Sequence, residues 1–312
     1  MKIFYYRNNL KNHLLENNLS SKIHLSIQHE SNSYRYSFSK NFDNFFKKTK
    51  ELKTKGRYHL HELLLAGQKR KPYIDLEFVY PDEATFKKNY KDILVKLQKD
   101  IITVFKSSYN EKITIDDILI LDSSGKVDDG YKMSYHIIVS PTDHTFYYTD
   151  SKCSDSSAFH LYTQLIELDP SYQTYLDKNV YNSEPTLRMI GSYKIGSDRV
   201  LKPVDNKTFK PIEISVKQKY NYLLSHIQKP RTKLITPIIE QIIVKKEKTV
   251  SFNSPTKTNI SEQIMSYVKK YHPTAKYYGI IHGEKYELQD VLFYSFNFSN
   301  REEVCKLCRN RI

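Results

Sequence analysis

The 312-residue chain has no tryptophan and only three cysteines, Cys153, Cys305 and Cys308. Three thiols cannot make a disulfide framework, so the expected setting is a reducing, intracellular one. No apolar run reaches the length of a bilayer span, and the opening Met1-Lys2-Ile3-Phe4-Tyr5-Tyr6-Arg7 lacks the apolar core of a signal peptide; no membrane partner is expected. Internal repeats are absent too. Acidic residues are outnumbered, 35 against 49 Lys and Arg, for a formal net charge of +14. Lys-, Asn-, Ile- and Tyr-rich coding accounts for part of that surplus; the remainder points to a polyanionic partner.

Tyrosine fills much of the aromatic gap, with 26 Tyr and 15 Phe. Aromatics interleaved with cations suit a nucleic-acid surface, because rings stack on bases while cations meet phosphates. The length fits one large or two modest domains with a real core.

Residues 1–70 read as mixed structure. Tyr34-Arg35-Tyr36-Ser37-Phe38 alternates like a strand, and 44–52 has the look of a basic helix. Pro81-Asp82-Glu83 is a good helix start, and Phe86, Tyr90, Ile93, Leu97, Ile101 and Val104 recur at helical spacing, predicting one long amphipathic helix. Residues 112–121 read as a strand, 122–130 as a polar turn, 131–140 as a strand and 158–168 as a helix ended by Asp169-Pro170. This order predicts an α+β sheet covered by helices on one face. From Lys202 to Lys257 there are 12 Lys/Arg against 4 Asp/Glu. The apolar stretch 234–244 is expected to pack back on the core, 245–259 to be a linker, 260–271 a helix, and 277–298 strand-like.

The stretch that organises the rest is Ile74-Asp75-Leu76-Glu77-Phe78. In a strand, residues two apart share a face, so Asp75 and Glu77 project together while Ile74, Leu76 and Phe78 turn to the core. Adjacent carboxylates repel unless a cation sits between them, and a divalent metal with oxygen ligands is the economical one. Lys132, Ser134 and His136 share a face of the later strand: a cation, a hydroxyl and an imidazole able to cradle a triphosphate. Further on, Asp177 supplies another carboxylate, and Arg188-x-x-Gly191-Ser192-x-Lys194 sets two cations around a Gly-Ser turn. Taken singly, each reads as well as a solvated polar face or a turn.

The ordered set Asp-x-Glu, Lys-x-Ser-x-His, Asp-x-x-Val-Tyr and Arg-x-x-x-Ser-x-Lys resembles the archaeo-eukaryotic primase superfamily over residues 30–205. It is most similar to eukaryotic primase–polymerases and to primase domains of large DNA viruses, including the N-terminal domains of primase–helicases. The resemblance implies a primase fold with an RRM-like catalytic sheet and an N-terminal α/β lobe. It implies two Mg²⁺ or Mn²⁺ ions on Asp75, Glu77 and Asp177, and nucleotide binding by Lys132, Ser134, His136, Arg188, Ser192 and Lys194. Primer synthesis from NTP or dNTP on single-stranded DNA follows, in viral replication, in host cytoplasm or nucleus, beside a helicase domain or protein. His61 stands where the primase–polymerases carry an aromatic near the nucleotide sugar, so it becomes a further nucleotide-binding candidate; simple packing at the rim is the plainer reading. Residues 1–230 then form the catalytic domain, 231–259 a basic linker, and 260–312 a helix/strand segment. The basic Lys202–Lys257 region, with Arg35 and Tyr36, is the candidate for template contact, against a solvated linker.

Cys305-x-x-Cys308 has zinc-ligand spacing but supplies half a tetrahedral site, with His272 and His282 at untypical spacing to complete it. Viral primases carry a His just beyond such a pair, so the chain is expected to be part of a longer or split polypeptide. Two rivals remain. His59-Leu60-His61 with Tyr267-x-x-Lys-Tyr271 has the form of a rolling-circle nickase, whose tyrosine attacks DNA covalently. The other is a non-catalytic, basic single-strand-binding module with salt-sensitive affinity.

Overall fold

The computed structural model describes residues 2–19, 23–30, 33–40, 45–54, 59–149, 151, 157–227, 231–237, 275–282 and 292–298. The chain divides into two units, Met1–Ile238 and Ile239–Ile312.

The first unit begins with α1 (Arg7–Glu16), the hairpin β1 (Ile23–Glu30) and β2 (Ser33–Ser39), α2 (Phe45–Thr54) and β3 (Leu60–Leu63). Ile23, Leu25 and Ile27 recur every second residue and are all buried, the period a strand requires. Next come β4 (Tyr73–Tyr80) and the long α3 (Glu83–Tyr109). Asp82 caps that helix by accepting the Thr85 N–H at 2.7 Å, and Asn110 closes it in the left-handed region at φ +53°. After it follow β5 (Ile118–Asp122), β6 (Gly125–Val127), β7 (Gly130–Val139), β8 (Thr145–Tyr147), α4 (Ala158–Leu168), β9 (Thr186–Arg188), β10 (Lys202–Val204), α5 (Val216–Lys219) and β11 (Thr232–Leu234).

Two sheets dominate. One has the order β2-β1-β3-β9, antiparallel throughout. The other has the order β10-β5-β7-β4, also antiparallel, with β6 folding back on β7. Beyond β4, residues 175–177 lie along its free edge: Glu77 N–H donates to the Tyr175 carbonyl at 2.7 Å and Asp177 N–H to the Asp75 carbonyl at 3.0 Å. α3 packs on β7, β4 and α4, burying Leu94, Leu97, Ile101, Val104 and Phe105 in the core. A short parallel pair, β11 with β8, completes the unit. The architecture is mixed α+β with antiparallel sheets.

In the second unit the described residues form one antiparallel hairpin, β12 (Ala275–His282) with β13 (Leu292–Phe298). The expected helix at 260–271, the linker at 245–259, and Cys305 and Cys308 lie outside the described residues, as do His272, Tyr267 and Tyr271.

Three local readings differ from expectation. The strand expected from residue 112 starts at Ile118, because the Asp117 carboxylate accepts both the Thr114 N–H (2.8 Å) and its hydroxyl (2.9 Å) and winds 115–117 into a 3-10 turn. The polar turn at 122–130 contains β6. The basic stretch from Lys202 begins inside the fold rather than as a linker: β10 joins the sheet, and Leu223 and Leu224 are buried. In the apolar stretch from residue 234, Leu234 is exposed and Ile235 buried; most of the rest lies outside the described residues. Among the described residues no helix is long and apolar enough to cross a membrane.

Candidate active site

The β4–β7 ladder brings the two strand motifs face to face. Asp75 stands opposite His136, Glu77 opposite Ser134, and Val79 opposite Lys132. Directly opposed residues project from the same face, so the acidic pair and the Lys-Ser-His row form one surface. Lys132 Nζ reaches diagonally to Glu77 Oε2 at 2.5 Å, and His136 Nε2 lies 3.9 Å from Asp75 Oδ1.

Asp75 is the most perturbed of the acids. It is buried, and its Oδ1 has no hydrogen-bond partner. Burial first, then the charges of Glu77 and Asp177, push its pKa up to about 8, against the pull of Lys194 and Arg188. Asp177 is held beside it by the main-chain bond to Asp75, while its own carboxylate caps a 3-10 turn by accepting the Asn179 N–H at 2.8 Å. Among the described residues no three His, Cys, Asp or Glu side chains converge as a ready-made metal centre. The donor set nevertheless fits a hard divalent cation. A buried carboxylate oxygen stands unpartnered, two more acids raise its proton affinity, and all the donors are oxygens.

The other sheet delivers the cations. On β3 and β9, His61 pairs with Arg188. Arg188 is buried; it donates to Ser123 Oγ at 2.8 Å and to the Arg199 carbonyl at 3.3 Å, while its Nε has no partner. Ser123 Oγ in turn donates to Ser134 Oγ at 3.0 Å, and the Ser134 N–H donates to Ser124 Oγ at 3.0 Å. Ser123 thus joins Arg188 on one sheet to Ser134 on the other. Gly191, at φ +81°, turns the chain after β9, leaving the buried Ser192 hydroxyl without a partner and Lys194 at the exposed rim.

Both histidines are neutral bases. His61 is buried with its Nδ1 unpartnered; burial, then Arg188 and Lys194, lower its pKa to about 4. Burial followed by the same two cations holds His136 well below its ordinary value. The site therefore combines unpartnered donors at Arg188 and Ser192 with a cationic field and, across the ladder, an unpartnered acid oxygen.

Of the acid and nucleotide candidates read from the first 200 residues, Asp75, Glu77, Asp177, Lys132, Ser134, His136, His61, Arg188 and Lys194 lie within reach of one another's charge or hydrogen bonds, and Ser192 follows on the turn after β9. Ser123, Ser124 and Arg199 were missed, since isolated serines in a polar turn carry no pattern of their own. His59, the other half of the nickase motif, has its Nδ1 3.1 Å from the Tyr193 carbonyl and its ring edge-on to Tyr193.

The fold and site thus define a mixed α+β protein whose acid–cation cluster bridges two antiparallel sheets. No known family profile matches the chain. It is similar to "Uncharacterized putative helicase R8" of Acanthamoeba polyphaga mimivirus, 44% identical over 277 residues that cover 84% of this chain and 25% of that protein. A stretch of 43 residues is 88% identical to a "Putative replication origin-binding protein" of the same virus, covering 14% of this chain and 5% of that protein. The chain spans about a quarter of the length of the helicase-named relative.

Proposed function

We propose that the first unit is a primase-type nucleotidyltransferase acting in viral DNA replication, extending primers from nucleoside triphosphates on a single-stranded DNA template. The observation that carries this reading is the unpartnered Asp75 oxygen beside Glu77, across one ladder from Lys132, Ser134 and His136. Sheet order supports it as well. The strands on either side of α3 and before α4 run β5-β7-β4 with 175–177 on the outer edge, as an RRM-like sheet requires. The relatives' names, a helicase and a replication origin-binding protein, agree with a replication role and a helicase elsewhere in a longer polypeptide.

Asp75 and Glu77, joined by Asp177, would hold Mg²⁺ or Mn²⁺, which supplies hydroxyl activation and charge neutralisation at the leaving pyrophosphate. The chain's own groups do the rest. Lys132 and Lys194 offer ammonium donors to phosphate oxygens, Arg188 a guanidinium edge and Ser192 a hydroxyl. His136 and His61, neutral at physiological pH, bind by hydrogen bonding rather than by charge. Ser123 keeps Arg188 and Ser134 in fixed relation, so the donors are aimed before the nucleotide arrives.

Labelled NTPs or dNTPs on unprimed single-stranded DNA, with Mg²⁺ or Mn²⁺, provide the test. Wild type should make primers, and Asp75→Ala and Glu77→Ala should make none while melting cooperatively. Product from both variants, or none from wild type under any of these conditions, removes the reading.

A further inference from the structure

Outside the acid–cation cluster, the strongest unassigned feature lies at the far edge of the first sheet. Phe4 pairs with Tyr36 through two main-chain hydrogen bonds of 2.8 Å, extending the sheet by one short segment beyond β2. That pairing sets Tyr5 across from Arg35, whose guanidinium lies 4.4 Å from the Tyr5 ring centroid. Tyr5 is 66% exposed and the adjacent Tyr6 70%, although large rings normally gain by burial. Arg7 follows directly and lies 5.7 Å over the Tyr36 ring. Arg7 shares Glu184 with Lys11, whereas Arg35 has no carboxylate partner among the described residues.

This edge belongs to the sheet that carries Arg188. The registers Tyr36↔Ser26, Ser26↔His61 and His61↔Arg188 set four residues in one row across β2, β1, β3 and β9. Tyr34, two residues along from Tyr36, turns its ring edge to His61 at 6.3 Å. That row ends at Tyr36 and Phe4, whereas Tyr5 and Arg35 stand in the next row, with Ile27, and project from the other face of the sheet.

We propose that Tyr5, Tyr6 and Arg35 form a stacking platform for single-stranded nucleic acid at the outer edge of the sheet that carries Arg188. The inference rests on the nucleotidyl-transfer reading for its purpose but not for its test. Exposed rings alternating with guanidinium groups are what a strand of unpaired bases and phosphates requires. A peptide partner would leave the cationic surplus unmatched unless it were acidic. Tyr5 and Tyr6 serve the bases, Arg35 a phosphate or a base face.

The test is anisotropy of fluorescein-labelled oligothymidylate with the full chain in EDTA and without nucleotide, so that neither metal nor catalysis enters. Tyr5→Ala and Tyr6→Ala should each weaken binding about tenfold, in line with the loss of one stacked base. Tyr5→Phe and Tyr6→Phe should bind like wild type. Arg35→Ala should lower the log–log salt slope by about 0.7. Since both tyrosines are exposed, the variants should melt with wild type. Alanine variants that bind as tightly as wild type, or a wild type that does not bind, overturn the platform. If wild type makes no primers yet loses oligonucleotide affinity with Tyr5→Ala, the platform stands and the catalytic reading falls.

Discussion

Lys132 Nζ and Glu77 Oε2 meet at 2.5 Å although their backbones are not partners: Glu77 is opposite Ser134 and Lys132 opposite Val79. The lysine therefore reaches along the strand to occupy an acid oxygen that a metal would also use. Lys132→Ala should tighten Mn²⁺ binding two- to fivefold, the scale of a partly exposed ion pair of about 0.5–1 kcal/mol. It should weaken triphosphate binding about tenfold through loss of a charged donor. Free Mn²⁺ by electron paramagnetic resonance and nucleotide titration measure the two separately; equal weakening of both would show that the lysine does not compete.

Asp75→Asn tests the stored repulsion. The buried carboxyl is opposed by burial, Glu77 and Asp177, so its ionisation works against the fold between about pH 4 and 8. The folded state binds the extra proton there, and stability falls as pH rises through that window. The amide removes this term, so without metal the variant should melt at or above the wild-type temperature at pH 8 while making no primers. Mn²⁺ should raise the melting temperature of wild type only. A variant melting well below wild type would mean the carboxylate is a structural anchor.

His61 gives an acid-side prediction. Its pKa falls from 6.5 to about 4 on folding, so below pH 6.5 the unfolded chain takes up a proton the folded chain refuses. Stability from this group is complete above pH 6.5 and is lost as pH drops towards 4, at no more than about 1.4 kcal/mol per pH unit. His61→Asn should flatten the loss between pH 6.5 and 4.5 in urea melts. An unchanged slope assigns the acid sensitivity to His24, which burial also lowers, or to His136.

Ser123 bonds both Arg188 and Ser134. Ser123→Ala should lower stability by about 1–2 kcal/mol and raise KM for nucleotide more than it lowers kcat. Ser123→Thr should restore most of the KM. A loss of stability with unchanged KM would limit the residue to packing.

The strand motifs were legible because period-two spacing fixes which residues share a face: Asp75 with Glu77, and Lys132 with Ser134 and His136, needed only a strand to be right. The long helix was equally plain, its apolar residues recurring over α3. Pairing between distant segments was not legible. Nothing local says that residues 175–177 edge β4, or that β9 lies beside β3, since these contacts are main-chain hydrogen bonds indifferent to side chain. β1 was readable and overlooked: Ile23, Leu25 and Ile27 alternate cleanly with His24, Ser26 and Gln28. The Thr114–Asp117 capping box shortened β5 because a local side-chain bond outweighed β-branched propensity.

The edge segment at 175–177 has one more implication. Asp177 owes its place beside Asp75 to counted residues, like a tooth on a gear; its own carboxylate holds only the Asn179 N–H of the turn that follows. One residue inserted between Thr174 and Tyr175 could slip the engagement by a tooth and turn the acid to the opposite face, with every original residue still there. In that short run, chain length is under tighter constraint than composition.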